Sequence, residues 1–289
     1  MRTLTTVASL RAELKPARTE GRTIGLVPTM GAFHAGHVSL MERARKETDV
    51  VVVSLFVNPT QFGPSEDLSA YPRDEASDAE TAAAAGVDVL FAPAVEEVYP
   101  DGFQTSVHVG ALAEPLEGAQ RPGHFDGVAT VVTKLLNMVG PDVAFFGQKD
   151  AQQALIVRRV VRDLDIPARI EVCPTVREAD GLALSSRNAY LAPAERERAV
   201  ALRRALDAAE AAVAAGERDA AAVTAAARGA MTPFAVEPEY LALVRADTLA
   251  PVERIDGQPV LVALAARVGP ARLIDNALIH PTPPTNGRP

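Results

Sequence analysis

The sequence predicts an α/β protein: a doubly wound, Rossmann-like parallel sheet followed by a smaller α+β unit. Three observations carry that expectation. Apolar, β-branched runs alternate with helical segments over the first two-thirds of the chain; several of those runs are continuously apolar; and the rhythm stops near Val176. A strand buried on both faces of a parallel sheet reads as an unbroken apolar run. Strand–helix alternation is what crossover connections between parallel strands leave in a sequence.

In order, strands are expected over residues 24–29, 50–57, 87–92, 142–146 and 170–176, with helices over 37–47, 74–85, 125–139 and 150–163. Pro193, a favoured first-turn residue, opens a helix over 193–215 that Gly216 closes. An alanine-rich helix over 219–230 follows, then strands over 240–244, 260–267 and 271–279, the last two parted by Gly269-Pro270. The domains expected are 1–176, Rossmann-like and ligand-binding, and 177–280, smaller and α+β, with a proline-rich disordered tail over 281–289.

Composition narrows the function. With 48% hydrophobic and 23% charged residues, the 289-residue chain has ample material for a core. Its net charge of -8 disfavours a general polyanion binder, so neither nucleic acid nor an anionic membrane is expected as a partner. Cys173 is the only cysteine, which excludes an intramolecular disulfide and fits a reducing compartment. It lies in an apolar run and reads as a buried core residue. Arg2, Arg11, Glu13 and Lys15 interrupt any leader-like stretch, and no uncharged run approaches the roughly 20 residues of a membrane span. A soluble cytoplasmic protein is the expectation.

Chemistry concentrates after the ends of the predicted strands, where open α/β sheets bind ligands. The first segment is PTMGAFHAGH, residues 28–37. It places His34 and His37 three residues apart at a helix start, where unpaired N–H groups and the helix dipole favour an anion. Gly31 and Gly36 allow a ligand close to the backbone. Taken alone, such a pair also reads as ordinary surface or core histidines, and a metal site would need a further ligand. The second is GQKDAQQ, residues 147–153, where Lys149 can neutralise growing phosphate charge, Asp150 can cap the next helix, and Gln153 can offer its amide to a small polar ligand. The third is LSSRN, residues 184–188, with two hydroxyls and a guanidinium suited to a triphosphate, on a loop able to close over a site. The fourth is FVNPTQF, residues 56–62, in which Gln61 can bond a hydroxyl or carboxylate and Asn58-Pro59 reads as a turn. Each also fits plain structure, as a solvated lysine or a capped polar turn. His124, after a glycine-rich stretch, reads as structural.

These pieces, in this order, resemble the pantothenate synthetase family over nearly the whole chain, from PTMGAFHAGH through FVNPTQF, YPRD, GQKDAQQ and PTVREADGLALSSRN to LIDN at residues 273–276. The histidine motif alone indicates the wider nucleotidyltransferase superfamily; the combination is more specific. The resemblance implies ATP-dependent joining of pantoate to β-alanine through pantoyl adenylate, releasing AMP and pyrophosphate. It implies ATP contacts along Met30, Gly31, His34, Gly36 and His37, along Gly147, Gln148, Lys149 and Asp150, near Val176, and along Leu184, Ser185, Ser186 and Arg187. Chemistry is expected from His34, His37, Lys149, Ser185, Ser186 and Arg187, with His37 as the family's proton donor. Gln61 and Gln153 match pantoate-binding glutamines, and Gln61 a β-alanine contact. Mg²⁺ is implied to bridge the ATP phosphates, with Asp78 an indirect contributor, and the assembly implied is a homodimer. The chain departs from the family pattern at Gln148, Ala151 and Leu184 and reads AFHAGH for a more usual ALHEGH; none of these removes a group assigned to the chemistry. A nucleotidyltransferase acting on another small phosphate would share the histidine motif and the sheet but leave a nucleotidyl group on its product and need no amine; a nucleotide-binding protein without activity would not need the two glutamines.

Overall fold

The computed structural model describes residues 1–63, 68, 69 and 71–281. It divides into two compact units, Met1–Val176 and the chain from Arg177 onward. The tail expected to be disordered lies, from residue 282, outside the described residues.

In the first unit, two elements precede the first predicted strand, β1 (Arg2–Leu4) and α1 (Val7–Thr19). The α1 helix buries Leu10, Leu14 and Ala17 along one stripe, and Thr6 caps it by accepting from the Ser9 N–H. Next come β2 (Ile24–Thr29), α2 (Ala35–Glu47), β3 (Val50–Leu55), α3 (Glu75–Ala84) and β4 (Val89–Phe91). Single turns follow as α4 (Val95–Val98) and α5 (Glu117–Gln120), then α6 (His124–Val139), β5 (Val143–Gly147), α7 (Ala151–Asp163) and β6 (Arg169–Cys173).

The six strands lie in the order β1-β4-β3-β2-β5-β6, all paired in parallel. From β2 the chain builds outward through β3 and β4, then returns to place β5 on the other flank of β2. That reversal makes the gap between β2 and β5 the topological switch point. The register widens it. All six residues of β2 pair with β3, and all five of β5 pair with β6, but β2 and β5 pair only at Gly25–Val143 and Leu26–Ala144. Beyond those two pairs β2 and β5 share no further residue pairs, and the loops after both strands emerge at this switch point, where open α/β sheets bind ligands in a crevice.

Val27, Val51, Val53, Leu90 and Phe145 from the strands pack with Leu40, Met41 and Ala44 of α2. Helix α6 is buried along nearly its whole length. It presses on the 3-10 turn Pro59–Gln61 so closely that a Cβ on Gly127 would stand 2.4 Å from the Thr60 carbonyl oxygen.

The second unit holds α8 (Pro193–Ala199), α9 (Ala201–Ala214), α10 (Ala220–Met231) and an antiparallel sheet β7-β8-β9 (Pro238–Arg245, Val260–Val268, Ala271–Ile279). The single helix expected over 193–215 is thus two, broken at Val200. No glycine or proline marks the break, so the apolar period runs straight through it. Alanines 201, 205, 209 and 227 let the helices pack tightly with each other and the sheet.

Gly127→Ala tests the contact that holds Gln61. Its new methyl meets backbone atoms of Thr60 and Gln61, which cannot rotate away. We expect a loss of about 1–3 kcal/mol in urea unfolding.

Candidate active site

The loop after β2 is wound by one carboxylate. Asp78 of α3, 4% exposed, accepts the Ala32 N–H at 2.9 Å and the Phe33 N–H at 2.7 Å, one on each oxygen. Gly31, at φ +90°, turns the chain toward it, where any Cβ would collide with Leu55 and Asp78. Ala32 follows at φ +52°. Asp78 is therefore engaged in shaping this loop. Beside it, a cavity of about 340 Å³ lies among Met30, Leu55, Phe56, Asp74, Asp78 and Val95, at the carboxyl ends of β2, β3 and β4.

His34 stands at the helix start, as the sequence suggested: it is the N-cap of α2, with extended backbone. Its Nδ1 accepts the Gly36 N–H at 3.1 Å, while His37 Nδ1 accepts the His34 N–H at 3.3 Å. The two rings form a reciprocal capping box in which a histidine stands where glutamate is usual. This corrects the expectation of open N–H groups at the helix start. Those of His34, Gly36, His37 and Val38 all bond within the turn.

The tautomer of each ring follows from these bonds. An Nδ1 that accepts must lack a proton, so each neutral ring carries its proton on Nε2. The ring centroids are 4.2 Å apart, and Phe33 packs 5.5 Å from His37. The pair thus offers two adjacent N–H donors without net charge. Burial, then the neighbouring His34, then Lys149, push the His37 pKa down to about 3. Burial and Lys149 also lower that of His34, against a smaller upward pull from Asp150.

Lys149 reaches this pair from the loop after β5. A 3-10 turn over Gln148–Asp150 precedes α7, and Lys149 Nζ lies 3.7 Å from Asp150 Oδ1. Asp150 occupies the cap position of α7 but forms no side-chain capping bond, contrary to expectation; its backbone (φ −99°, ψ 57°) belongs to the preceding turn. Gly147 ends β5, and Gln148 starts the turn.

Gln61 is 8% exposed and its amide orientation is fixed. Asn58 Oδ1 accepts from the Thr60 N–H, and Asn58 Nδ2 donates to the Gly127 carbonyl, so neither end of the Asn58 amide can exchange. Asn58 Nδ2 also donates to Gln61 Oε1 at 3.1 Å, leaving the Gln61 NH₂ directed toward Met30, 3.2 Å from its sulfur. Gln61 therefore presents a donor, which matches a carboxylate or hydroxyl oxygen. Tyr99 Oη donates to Asn58 Oδ1 at 2.8 Å from the other side. Asn58, read in the sequence as a turn residue, is 1% exposed and organises this corner; its only signal was an Asx cap before Pro59.

Gln153 is half-buried in the first turn of α7. Its neighbour Gln152 is fully committed, accepting from the Glu117 N–H and donating to the carbonyls of Leu112 and Pro115. Cys173 is buried at the end of β6, as expected, and burial raises its thiol pKa. Val176 ends the first unit.

The remaining sequence-selected residues, Leu184, Ser185, Ser186 and Arg187, belong to the second unit. Ser185 caps the 3-10 turn Ser186–Tyr190 by accepting from the Arg187 N–H. Asn188 Nδ2 ties the turn to Glu178 Oε1 and the Ala183 carbonyl, and Arg196 grips Glu178 and Asp180. Behind it, Arg177 pairs through both nitrogens with Asp275 of the LIDN segment, at 2.6 and 2.9 Å. Asp275 is 2% exposed, and the pair anchors the start of the turn that leads into the loop.

Among the described residues, no group of three or more His, Cys, Asp or Glu side chains could hold a metal ion, and no helix is long and apolar enough to cross a membrane.

Comparison with known proteins identifies the family of the chain. The family model of pantoate-beta-alanine ligase matches residues 2–278. The chain belongs to that family. The ligase is 56% identical to pantothenate synthetase of Moorella thermoacetica over 281 residues, covering 97% of this chain and 99% of the relative. It is 54% identical to that of Rhizorhabdus wittichii, over 98% of this chain and the whole of that protein. A crystal structure of the Thermus thermophilus enzyme superposes with a TM-score of 0.92 at 50% identity, covering 97% of this chain and all of that one. The Francisella tularensis ligase, solved in complex with beta-gamma ATP and beta-alanine, superposes with a TM-score of 0.80 at 34% identity, covering 98% and 100% of the two chains.

Two outcomes follow for the ligase. Because the folded-state pKa of His37 lies below its ordinary value of 6.5, its ring should stay neutral from pH 8 to pH 5 in ring-nitrogen NMR, titrating at about 3. The unfolded chain takes up that proton first, so stability should fall with pH between 6.5 and about 3. Asp78→Ala, which leaves two loop N–H groups without their acceptor, should cost about 2–4 kcal/mol in chemical denaturation.

Proposed function

We propose that the ligase joins (R)-pantoate to β-alanine in two half-reactions, with ATP bound at the crevice between β2 and β5. In the first, a pantoate carboxylate oxygen attacks the α-phosphorus of ATP; a P–O bond forms, the bond to the β-phosphate breaks, and pyrophosphate leaves. In the second, the β-alanine amine attacks the activated carbonyl, the amine gives up a proton, and AMP departs with the acyl C–O bond broken. The products are pantothenate, AMP and pyrophosphate, a step in coenzyme A precursor biosynthesis.

One observation carries this reading: two Nε2–H donors stand side by side, with Lys149 as their electrostatic neighbour, at the switch point of the sheet. The first half-reaction brings together two anions, and charge grows on the leaving pyrophosphate. Neutral donors beside one ammonium stabilise that charge with little reorganisation. His34 and His37 therefore act as donors to phosphate oxygens, and Lys149 as the counter-charge. The family's role for His37, proton donor, becomes on this reading hydrogen-bond donation from Nε2. Met30, Gly31, Gly36, Gly147, Gln148, Asp150, Val176 and Leu184 line the nucleotide, and Ser185, Ser186 and Arg187 close on its phosphates. Gln61 and Gln153 hold pantoate, with the Gln61 NH₂ toward its oxygens, and Gln61 then meets β-alanine.

Mg²⁺ suits this site as a companion of the nucleotide. Both oxygens of Asp78 already accept backbone N–H groups, so a bound cation would draw its ligands mainly from phosphate and water, with Asp78 an indirect contributor. When bound, it neutralises phosphate charge. The ligase works in the cytoplasm as a homodimer, without nucleic acid or membrane partners.

Substrate omission tests the sequence of events. Pyrophosphate should form from ATP only with pantoate present, and pantothenate only when β-alanine is added; pantoate-independent pyrophosphate, or a stable nucleotidyl product, contradicts it. Lys149→Ala and His37→Ala should each slow adenylate formation by about 10²–10³-fold, with far-ultraviolet circular dichroism unchanged.

A further inference from the structure

The side chain of Gln61 is oriented by Asn58, but its backbone is held from elsewhere. The Gln61 carbonyl accepts from His124 Nδ1 at 2.8 Å and from Arg121 at 3.4 Å. His124 Nε2 lies 3.0 Å from Arg121 Nη1. A guanidinium can only donate, so Nε2 accepts and the His124 proton sits on Nδ1, aimed at the Gln61 carbonyl. His124 is 8% exposed, and Phe125 packs on its ring at 4.9 Å.

His124 opens α6, and Arg121 closes the wound segment that precedes that helix. Leu116 in the segment sits at φ +53°, an uncommon conformation for a residue with a side chain. Gln152 of α7 holds that segment through three bonds, to Leu112, Pro115 and Glu117. A chain of hydrogen bonds thus runs from Gln152, next to Gln153, across the segment to Arg121 and His124, and ends on Gln61.

We propose that His124 is a positioning residue for pantoate: its ring sets the height of the Gln61 backbone, and through it the place of the Gln61 NH₂ beside Met30. The proposal rests on the reading of Gln61 as a pantoate ligand. No other role is required of the ring. It points at a protein carbonyl, and its second nitrogen is taken by Arg121.

Steady-state kinetics of four variants, each checked by thermal unfolding, test it. His124→Ala should raise the pantoate KM about tenfold and leave the ATP KM within about twofold. His124→Asn, whose amide nitrogen replaces Nδ1–H, should recover most of the loss. Adding His124→Ala to Gln61→Ala should raise the pantoate KM no further than Gln61→Ala alone. A merely structural role would lower Tm and raise both KM values together, and that result overturns the proposal. An unchanged pantoate KM in His124→Ala also overturns it, provided Gln61→Ala raises that KM. If Gln61→Ala leaves it unchanged, the reading of Gln61 is what fails. Should His124→Ala not fold, His124→Asn against His124→Gln decides: Asn near wild type with Gln impaired supports the role, and equal values overturn it.

Discussion

Strands β2 and β5 share only two residue pairs before they part, and the site follows from that parting. Each strand stays fully paired on its other side, so the sheet keeps its strength while its centre opens at the carboxyl end. The loops bearing the histidines and Lys149 leave from the two lips of the opening. Had the pairing continued to Thr29, backbone bonds would have joined the strands where the nucleotide is proposed to bind.

Electrostatics at this opening depends on keeping charge low. A chain of net charge -8 must attract both a polyanionic nucleotide and an anionic acid. The structure answers with one ammonium and two neutral rings whose tautomers are set by the turn that carries them. Protonating either ring would place Nδ1–H against a backbone N–H, which adds to burial and Lys149 in keeping the pair neutral. Each ring thus does two things with its two nitrogens: Nδ1 caps the helix start, which leaves Nε2–H as the donor.

Most of the architecture was legible because parallel strands buried on both faces announce themselves as apolar runs. The alternation of 24–29, 50–57 and 142–146 with helical stretches fixed both the class and the carboxyl edge. The break at Val200 was not legible, since no residue there opposes a helix. At the site, His34, His37, Lys149 and Gln61 stood out because their residue types are chemically expensive to place beside apolar strands. Gln152 did not, and the parts played by Asp78, read as an indirect aid to Mg²⁺, Asn58, read as a turn, and His124, read as structural, were not legible either. Each acts on a distant backbone group: Ala32 for Asp78, Gly127 for Asn58, Glu117 for Gln152 and Gln61 for His124. Sequence spacing carries no trace of such contacts. Arg177 and Asp275, 98 residues apart, are a side-chain pair of the same long range.

The distance between the two histidines has its own consequence. It is the separation between a helix cap and the third residue of the helix, so it is dictated by the turn and not by any ligand. One added residue between them would rotate the second ring by about 100° about the helix axis and take both proton assignments with it. Lengthening other parts of the loop would change the fit of a nucleotide; lengthening this part would change which nitrogen bears hydrogen. The motif is thus a fixed ruler, with its tolerance set by backbone geometry.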